Sequence, residues 1–315
     1  MMIGSATFSF FLLFLFSASI ALGLSIDPRL IQLVPPQSHL VAGMSRSAGQ
    51  GTTGSFLLIA AENKADLNDF FALTGGDASR HLNALVFVRG GADPYTSESQ
   101  HSLLVSGRFD RESIFRFAAS GAGRGSYRQI PVLVVPPFQR ERETFHEERW
   151  LAVLDEQIAV FGSVASVQRE LDRWIERNAP DQSLIDRLRR LQGHDDSWCV
   201  LLARDRQGIG EKALGKLDRK LGEVAHEGGL LAYGIEFGRK VEVVVAAEPS
   251  LTNRSLKAPN DVPTAESGAA MHVFSFLPDE AAGSRAAVKV SRKRYEEWID
   301  GFENPDPSLA RSATR

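Results

Sequence analysis

Hydrophobic positions along this chain fall into one long block and then many short runs. The block, "FSFFLLFLFSASIALGL" (Phe8 to Leu24), is apolar almost throughout, and the first charged side chain is Asp27. After it, short apolar runs bounded by Gly, Pro, Asn and Asp predict strands: "SHLVAGMS", "NALVFVRG", "HSLLVSGRF", "YRQIPVLVVPP", "DSWCVLLARD" and "MHVFSFL". "WLAVL" and "IAVFG" flank Asp155-Glu156-Gln157 and read as a hairpin, as do "LLAYGIEFG" and "RKVEVVVAAE". The segment "FQRERETFHEER" carries charges of both signs and reads as a solvated stretch.

Helical spacing appears between these runs. "DLNDFFALTGG" starts at a capping Asp66 and buries Leu67, Phe70 and Phe71 before a glycine stop. "DRESIFRFAASG" is capped by Asp110. Ser163 stands where it can cap a helix with Val164, Val167, Leu171 and Trp174 on one face. Further apolar faces are Leu184/Ile185/Leu188/Leu191, Leu214/Leu217/Leu221/Val224 and, near the C-terminus, Tyr295/Trp298/Ile299. Trp150, Trp174, Trp198 and Trp298 all lie on these elements and read as core anchors.

Helices alternating with hairpins predict an α+β fold of mainly antiparallel sheets covered by helices. The order strand, helix, strand, strand occurs twice, which suggests two related ferredoxin-like βαββ-type halves. The boundaries read as 1–24 for a signal peptide or N-terminal membrane anchor, 25–193 and 194–302 for the halves, and 303–315 for a disordered tail.

The N-terminal block reads as a secretory signal because small residues gather at its end, in "SASIALG". It has no Lys or Arg before the apolar run, and its length is near the lower limit for a membrane span, so a retained anchor over residues 8–24 is the alternative and a core helix the third. No cysteine follows the run, which excludes a lipoprotein. Cys199 is the chain's single cysteine, so the fold holds no internal disulfide; its apolar setting points to a buried, inert thiol.

A composition of 43% hydrophobic and 24% charged residues over 315 positions fits a globular chain with a sizeable core. A formal net charge of −3 gives no concentrated basic surface, and nucleic acid is excluded as a partner.

Three glycine motifs lack the context their chemistry requires. "GQGTTG" (Gly49 to Gly54) has the dinucleotide spacing but lies between two strand-like runs, with no helix to face a pyrophosphate. "GEKALGK" (Gly210 to Lys216) is followed by Leu217 where magnesium binding needs Ser or Thr, and it sits within a helical pattern. "GAGRGS" (Gly121 to Ser126) reads as a helix stop leading into a strand.

No catalytic, cofactor-binding or metal-binding residue is assigned. His146-Glu147-Glu148 has no second histidine four residues away. His194-Asp195-Asp196 could ligate a cation, yet this is also ordinary loop chemistry. His101, His226 and His272 stand alone. Asp279-Glu280 and Glu296-Glu297 are adjacent pairs that do not face each other on a helix. Asn253-Arg254-Ser255 fits a glycosylation sequon, and no G-x-S-x-G elbow is present.

The "VPPQSHLVAGM" opening, "LLVSGRFD", "WLAVLDEQIAVFGS" with its later "LDRW", and "VEVVVAA", taken with the signal-like terminus, resemble uncharacterised exported proteins of Acidobacteria-type soil bacteria. The resemblance spans most of the mature chain. It implies a bacterial envelope location, periplasmic or extracellular, and a non-enzymatic role, and it carries over no functional residue. The expectation is therefore an exported, non-catalytic binding protein whose partner is an envelope protein or a small ligand. It would touch the membrane only through an uncleaved N-terminal segment. A small-ligand site or a hydrolase site between the two halves is the alternative.

Overall fold

The computed structural model describes residues 27–45, 66–75, 82–90, 100–117, 122–136, 138–140, 143–145, 148–191, 196–201, 211–249 and 284–303. The N-terminal block, the loop at 250–268 with its sequon, "MHVFSFL" and the tail lie outside them. In chain order the elements are α1 (Pro28–Leu33), β1 (Ser38–Ser45), α2 (66–74), β2 (Leu82–Gly90), β3 (His101–Gly107), α3 (Arg111–Phe117), β4 (Gly123–Tyr127) and β5 (Ile130–Val135). There follow β6 (Phe138–Arg140), β7 (Glu143–Phe145), β8 (Arg149–Val153), β9 (Ile158–Ser163), α4 (Val164–Glu176), α5 (Gln182–Arg189) and β10 (Ser197–Leu201). The last are α6 (Glu211–Leu217), α7 (Arg219–Glu227), β11 (Gly228–Phe237), β12 (Val241–Pro249), β13 (Arg285–Val290) and α8 (Arg292–Glu303).

Eleven of these strands form one sheet in the order β13-β12-β11-β10-β1-β2-β3-β9-β8-β5-β4, and every neighbouring pair is antiparallel. β6 and β7 form a separate two-stranded ribbon within the stretch read as solvated. Side chains alternate along each strand, so both faces of the sheet need cover. In β3, Leu103 and Val105 join the core on one face, while Leu104 joins the core on the other. The first face is covered by α2, α3, α6, α7 and α8, through Phe70, Ile114, Leu217, Leu221 and Tyr295. The second is covered by α1, α4 and α5, through Leu30, Leu33, Val167, Leu171, Leu184 and Leu188. The α+β architecture with antiparallel strands under helices is thus the one found.

The strand order is not that of a ferredoxin-like unit. There the helix-linked strands stand apart with a third between them; here β1, β2 and β3 are consecutive neighbours, and so are β10, β11 and β12. Both trios run outward from a seam in which β1 pairs with β10, with Leu40 opposite Leu201 and Met44 opposite Ser197. A single sheet therefore runs through both halves. At the seam Gly43 faces Trp198, and a Cβ built on Gly43 would overlap the indole ring. The missing side chain is what lets Trp198 lie flat and fully buried against β1.

Several elements differ from the sequence reading for local reasons. Tyr127 to Pro136 is not one strand: Arg128 and Gln129 take φ of 45° and 71°, which makes a two-residue type I′ turn between β4 and β5 without the usual Asn or Gly. The helix read over Leu214 to Val224 is two, broken at Asp218, whose side chain accepts from the Lys220 amide at 2.9 Å and starts α7. Ser163 occupies the cap position of α4 but makes no side-chain cap bond; its hydroxyl donates to Ser166 Oγ at 3.1 Å. α1 and β13, absent from the reading, complete the two faces. α1 is tied down by Arg173 of α4, which donates to the Gln32 carbonyl at 2.8 Å.

Candidate functional site

β3 places two consecutive polar side chains, His101 and Ser102, on opposite faces of the sheet, and each meets a buried carboxylate. On the first face His101 Nε2 lies 2.5 Å from Asp66 Oδ2, at the start of the described part of α2. The other Asp66 oxygen accepts from Arg149 Nη1 at 2.8 Å, and the same nitrogen reaches Asp69 Oδ2 at 2.8 Å. Asp66 and Asp69, three residues apart, share one side of the helix. Arg149 is 1% exposed, and its guanidinium also lies 5.3 Å from the centre of the Phe161 ring, while His101 stacks on Phe87. Burial pushes the Asp66 carboxyl up, but hydrogen bonds and charges from His101 and Arg149 outweigh it and hold the group below the usual carboxylate range.

On the second face Glu170 of α4 is fully buried, and the Ser102 hydroxyl donates to its Oε1. Burial dominates here: the Glu170 carboxyl is pushed up to about 8, against the opposing pull of the Ser102 hydrogen bond and the nearby Arg169 charge. At neutral pH it is a neutral acid. Gly162 of β9 lies directly opposite Ser102, and a Cβ there would overlap the His101 carbonyl, so this close strand approach requires glycine.

A third constellation is at the surface. Tyr127 of β4 and Trp150 of β8 pack with ring centres 6.2 Å apart on the second face, beyond α4. Tyr127 Oη donates to Asp172 Oδ2 at 3.2 Å, and Arg128 reaches Asp172 at 3.1 Å and Glu176 at 3.4 Å. Trp150 Nε1 donates to Glu148 Oε1 at 2.9 Å. Both rings are partly buried against the core of the second face.

The two buried constellations hold helices onto the sheet, and among the described residues Glu170 Oε2 has no hydrogen-bond partner. The Tyr127–Trp150 corner combines two partly buried rings with side chains of both charges. No protein-family model matches the chain, and no curated protein matches it. A solved structure, titled "Structure of crystal form I of TP0453", is similar at a TM-score of 0.44 and 9% identity, over 72% of this chain and 80% of that one. Likeness at that level carries no argument about function.

Of the residues weighed from sequence, His101 does not stand alone but joins Asp66, which Arg149 also binds. His146, Glu147, His194, Asp195, His272, Asp279, Glu280 and the GQGTTG glycines lie outside the described residues. Asp196 is structural, its side chain accepting from the Phe237 amide at 2.8 Å and its carbonyl from the Ser45 amide at 3.0 Å. His226 is exposed near the end of α7, and Glu297 pairs with Lys293 at 3.8 Å on the surface of α8. The Gly215 to Leu217 part of "GEKALGK" is helical with Leu217 in the core, and Gly123 to Ser126 are strand. Cys199 is buried, as its apolar run implied.

Among the described residues no group of three or more His, Cys, Asp and Glu is set to hold a metal, and no helix is long and apolar enough to cross a membrane. One reading is corrected: Arg149, within the stretch whose mixed charges predict a solvated segment, is in the core. Strand phase carried the signal: Arg149 is in step with Leu151 and Val153, which face the core. Trp198 and Trp298 are buried, and Trp150 and Trp174 are partly buried against the core of the second face.

Proposed function

We propose that this chain is an exported bacterial envelope protein with a non-catalytic, interaction role. The export part rests on the apolar N-terminal block and its small-residue end. The interaction part is carried by one observation: the buried polar constellations hold α2 and α4 to the sheet, while Tyr127 on the edge strand and Trp150 two strands in keep part of their rings exposed beside charged side chains. Interfaces favour such residues, because aromatic rings bring area and a polar handle at low entropic cost. We also read the two halves as a duplication. Its support is the pair of outward-running trios, β1-β2-β3 and β10-β11-β12, with α2 and with α6 and α7 on the same face.

The test is capture from the native envelope. The full chain, tagged at its C-terminus and processed by its own cells, is purified from envelope extract, and co-purifying proteins and small molecules are identified by mass spectrometry. Tyr127→Ala and Trp150→Ala variants are run in parallel. A specific protein lost in those variants supports the reading. Retention in the cytoplasmic fraction overturns export, and a retained small molecule that the purified chain converts overturns the non-catalytic role.

A further inference from the structure

The eleven-stranded sheet ends in two unlike edges. β13 carries Arg285 and Lys289, and Lys289 is 2.9 Å from Glu242 of β12; charge of this kind guards an edge against further pairing. β4 reads Gly-Arg-Gly-Ser-Tyr, with Gly123 to Ser126 all exposed and, among the described residues, no element beyond it. Its one internal charge is turned aside: Arg124 Nη2 donates to the Phe115 carbonyl of α3 at 2.9 Å, away from the edge.

We propose that β4 pairs with β4 of a second copy of this chain, antiparallel and centred on Gly125, so that the sheet continues across a two-fold axis.

The register follows from the hairpin. The type I′ turn at Arg128-Gln129 closes on Tyr127 opposite Ile130, a pair that exchanges both backbone hydrogen bonds. By alternation Gly123, Gly125 and Tyr127 direct their amides and carbonyls to β5, and Arg124 and Ser126 direct theirs outward. Centring the dyad on Gly125 sets Arg124 against Ser126 of the partner subunit and the reverse, so each outward group meets its complement.

On the second face the same register sets Tyr127 against the glycine at position 123 of the other copy, twice. Glycine opposite a large aromatic ring is the pairing the seam already uses at Gly43 and Trp198. Gly123 leaves Val134 of β5 half-buried, while Val132, opposite Gly125, is already buried: a Cβ on Gly125 would stand only 3.3 Å from Val132 Cγ2, and one on Gly123 3.4 Å from Val134 Cβ. A ring arriving from a neighbouring strand covers that surface. No like charges oppose each other, which distinguishes a second copy from an arbitrary strand. A two-fold contact is isologous, so one self-complementary strand suffices.

The proposal goes beyond the envelope role and does not depend on it, because the dimer is a property of the purified chain whatever else it binds. The purified protein is followed by sedimentation velocity over a concentration series, with Ser126→Pro, which removes an outward amide, as the disrupted form. A dimer fraction that rises with concentration, and a monomer for S126P with an unchanged circular dichroism spectrum, are expected.

Cross-linking fixes the register even if S126P misfolds. Under mild oxidation Gly125→Cys forms an intermolecular disulfide across the dyad. Arg124→Cys does not, because its copies stand diagonally apart, beyond the roughly 7 Å Cα limit for a disulfide. A wild-type monomer at the highest soluble concentration overturns the proposal. So does a cross-link through position 124 in place of 125. Protection of the Arg124 and Ser126 amides from hydrogen exchange only when envelope extract is added overturns it too, and assigns the edge to a strand of another protein.

Discussion

His101 and Ser102 are consecutive residues of β3, and each grips a buried carboxylate on a different face of the sheet: Asp66 on one, Glu170 on the other. The two acids respond to pH in opposite directions. Asp66 has Arg149 and His101 as partners and is held ionised, whereas Glu170 has a hydroxyl partner and is held neutral.

Glu170 makes the fold less stable in mild alkali. Its folded-state pKa, about 8, stands above the ordinary value of 4.5. Its contribution is therefore complete below the ordinary value and is lost as pH rises through about 8, at up to about 1.4 kcal/mol per pH unit inside that window. Glu170→Gln, which keeps an acceptor for Ser102 and cannot ionise, should match the wild type near pH 4.5 and exceed it near pH 8. Urea unfolding at the two pH values checks this. A wild-type curve that stays flat across the window contradicts the assignment.

Asp66 acts on the acid side. Its folded-state pKa is below the ordinary value of 3.8, so its contribution is present above that value and disappears as pH falls below it. Removing Arg149 by Arg149→Ala leaves two aspartates facing the core and should cost about 3–5 kcal/mol at neutral pH. Part of that loss is recovered by adding Asp66→Asn, which removes one of the stranded charges. Chemical denaturation of the single and double variants measures the coupling.

Gly43 and Trp198 should behave as one unit. Gly43→Ala places a methyl group inside the indole ring's volume and should destabilise by about 1–3 kcal/mol as the core is overfilled. In a Trp198→Leu background the same alanine should cost far less, giving a non-additive cycle. Additive losses would mean that Trp198 does not lie over residue 43.

The β4–β5 turn is held in a left-handed conformation by residues that disfavour it. Gln129→Gly should stabilise the hairpin by about 0.5–1 kcal/mol, since φ of 71° carries no Cβ penalty in glycine. Arg128 is left in place so that its contacts with Asp172 and Glu176 survive. Thermal unfolding reads the gain, and an unchanged or lower midpoint contradicts it.

What could be read from the chain depended on the kind of signal. Hairpin β8–β9 and helices α4, α5 and α8 were legible because their apolar positions keep one period from end to end. The β4–β5 turn was not, because neither Arg128 nor Gln129 belongs to the residue types that favour φ > 0. Strand order was hidden, since a strand–helix–strand–strand series permits several sheets, and the meander is chosen by pairings such as β1 with β10 that no local pattern records. The buried charges lie between these cases. Glu170 is three residues beyond Val167 and next to Leu171, and Arg149 is in phase with Leu151, but a charge on an apolar face is recognised as buried only once its partners, Ser102 and Asp66, are known from tertiary structure.

The seam between β1 and β10 also sets a timetable. Leu40 leaves the ribosome about 160 residues before Leu201, the strand partner it needs, so β1 spends most of synthesis with one side unanswered. Closing so long a loop is slow, and the waiting strand is a template for any extended segment that arrives first. The sheet's centre therefore waits for β10, with β11, β12 and β13 added outside it only afterwards, and the nascent chain has reason to be held by a chaperone until β10 emerges.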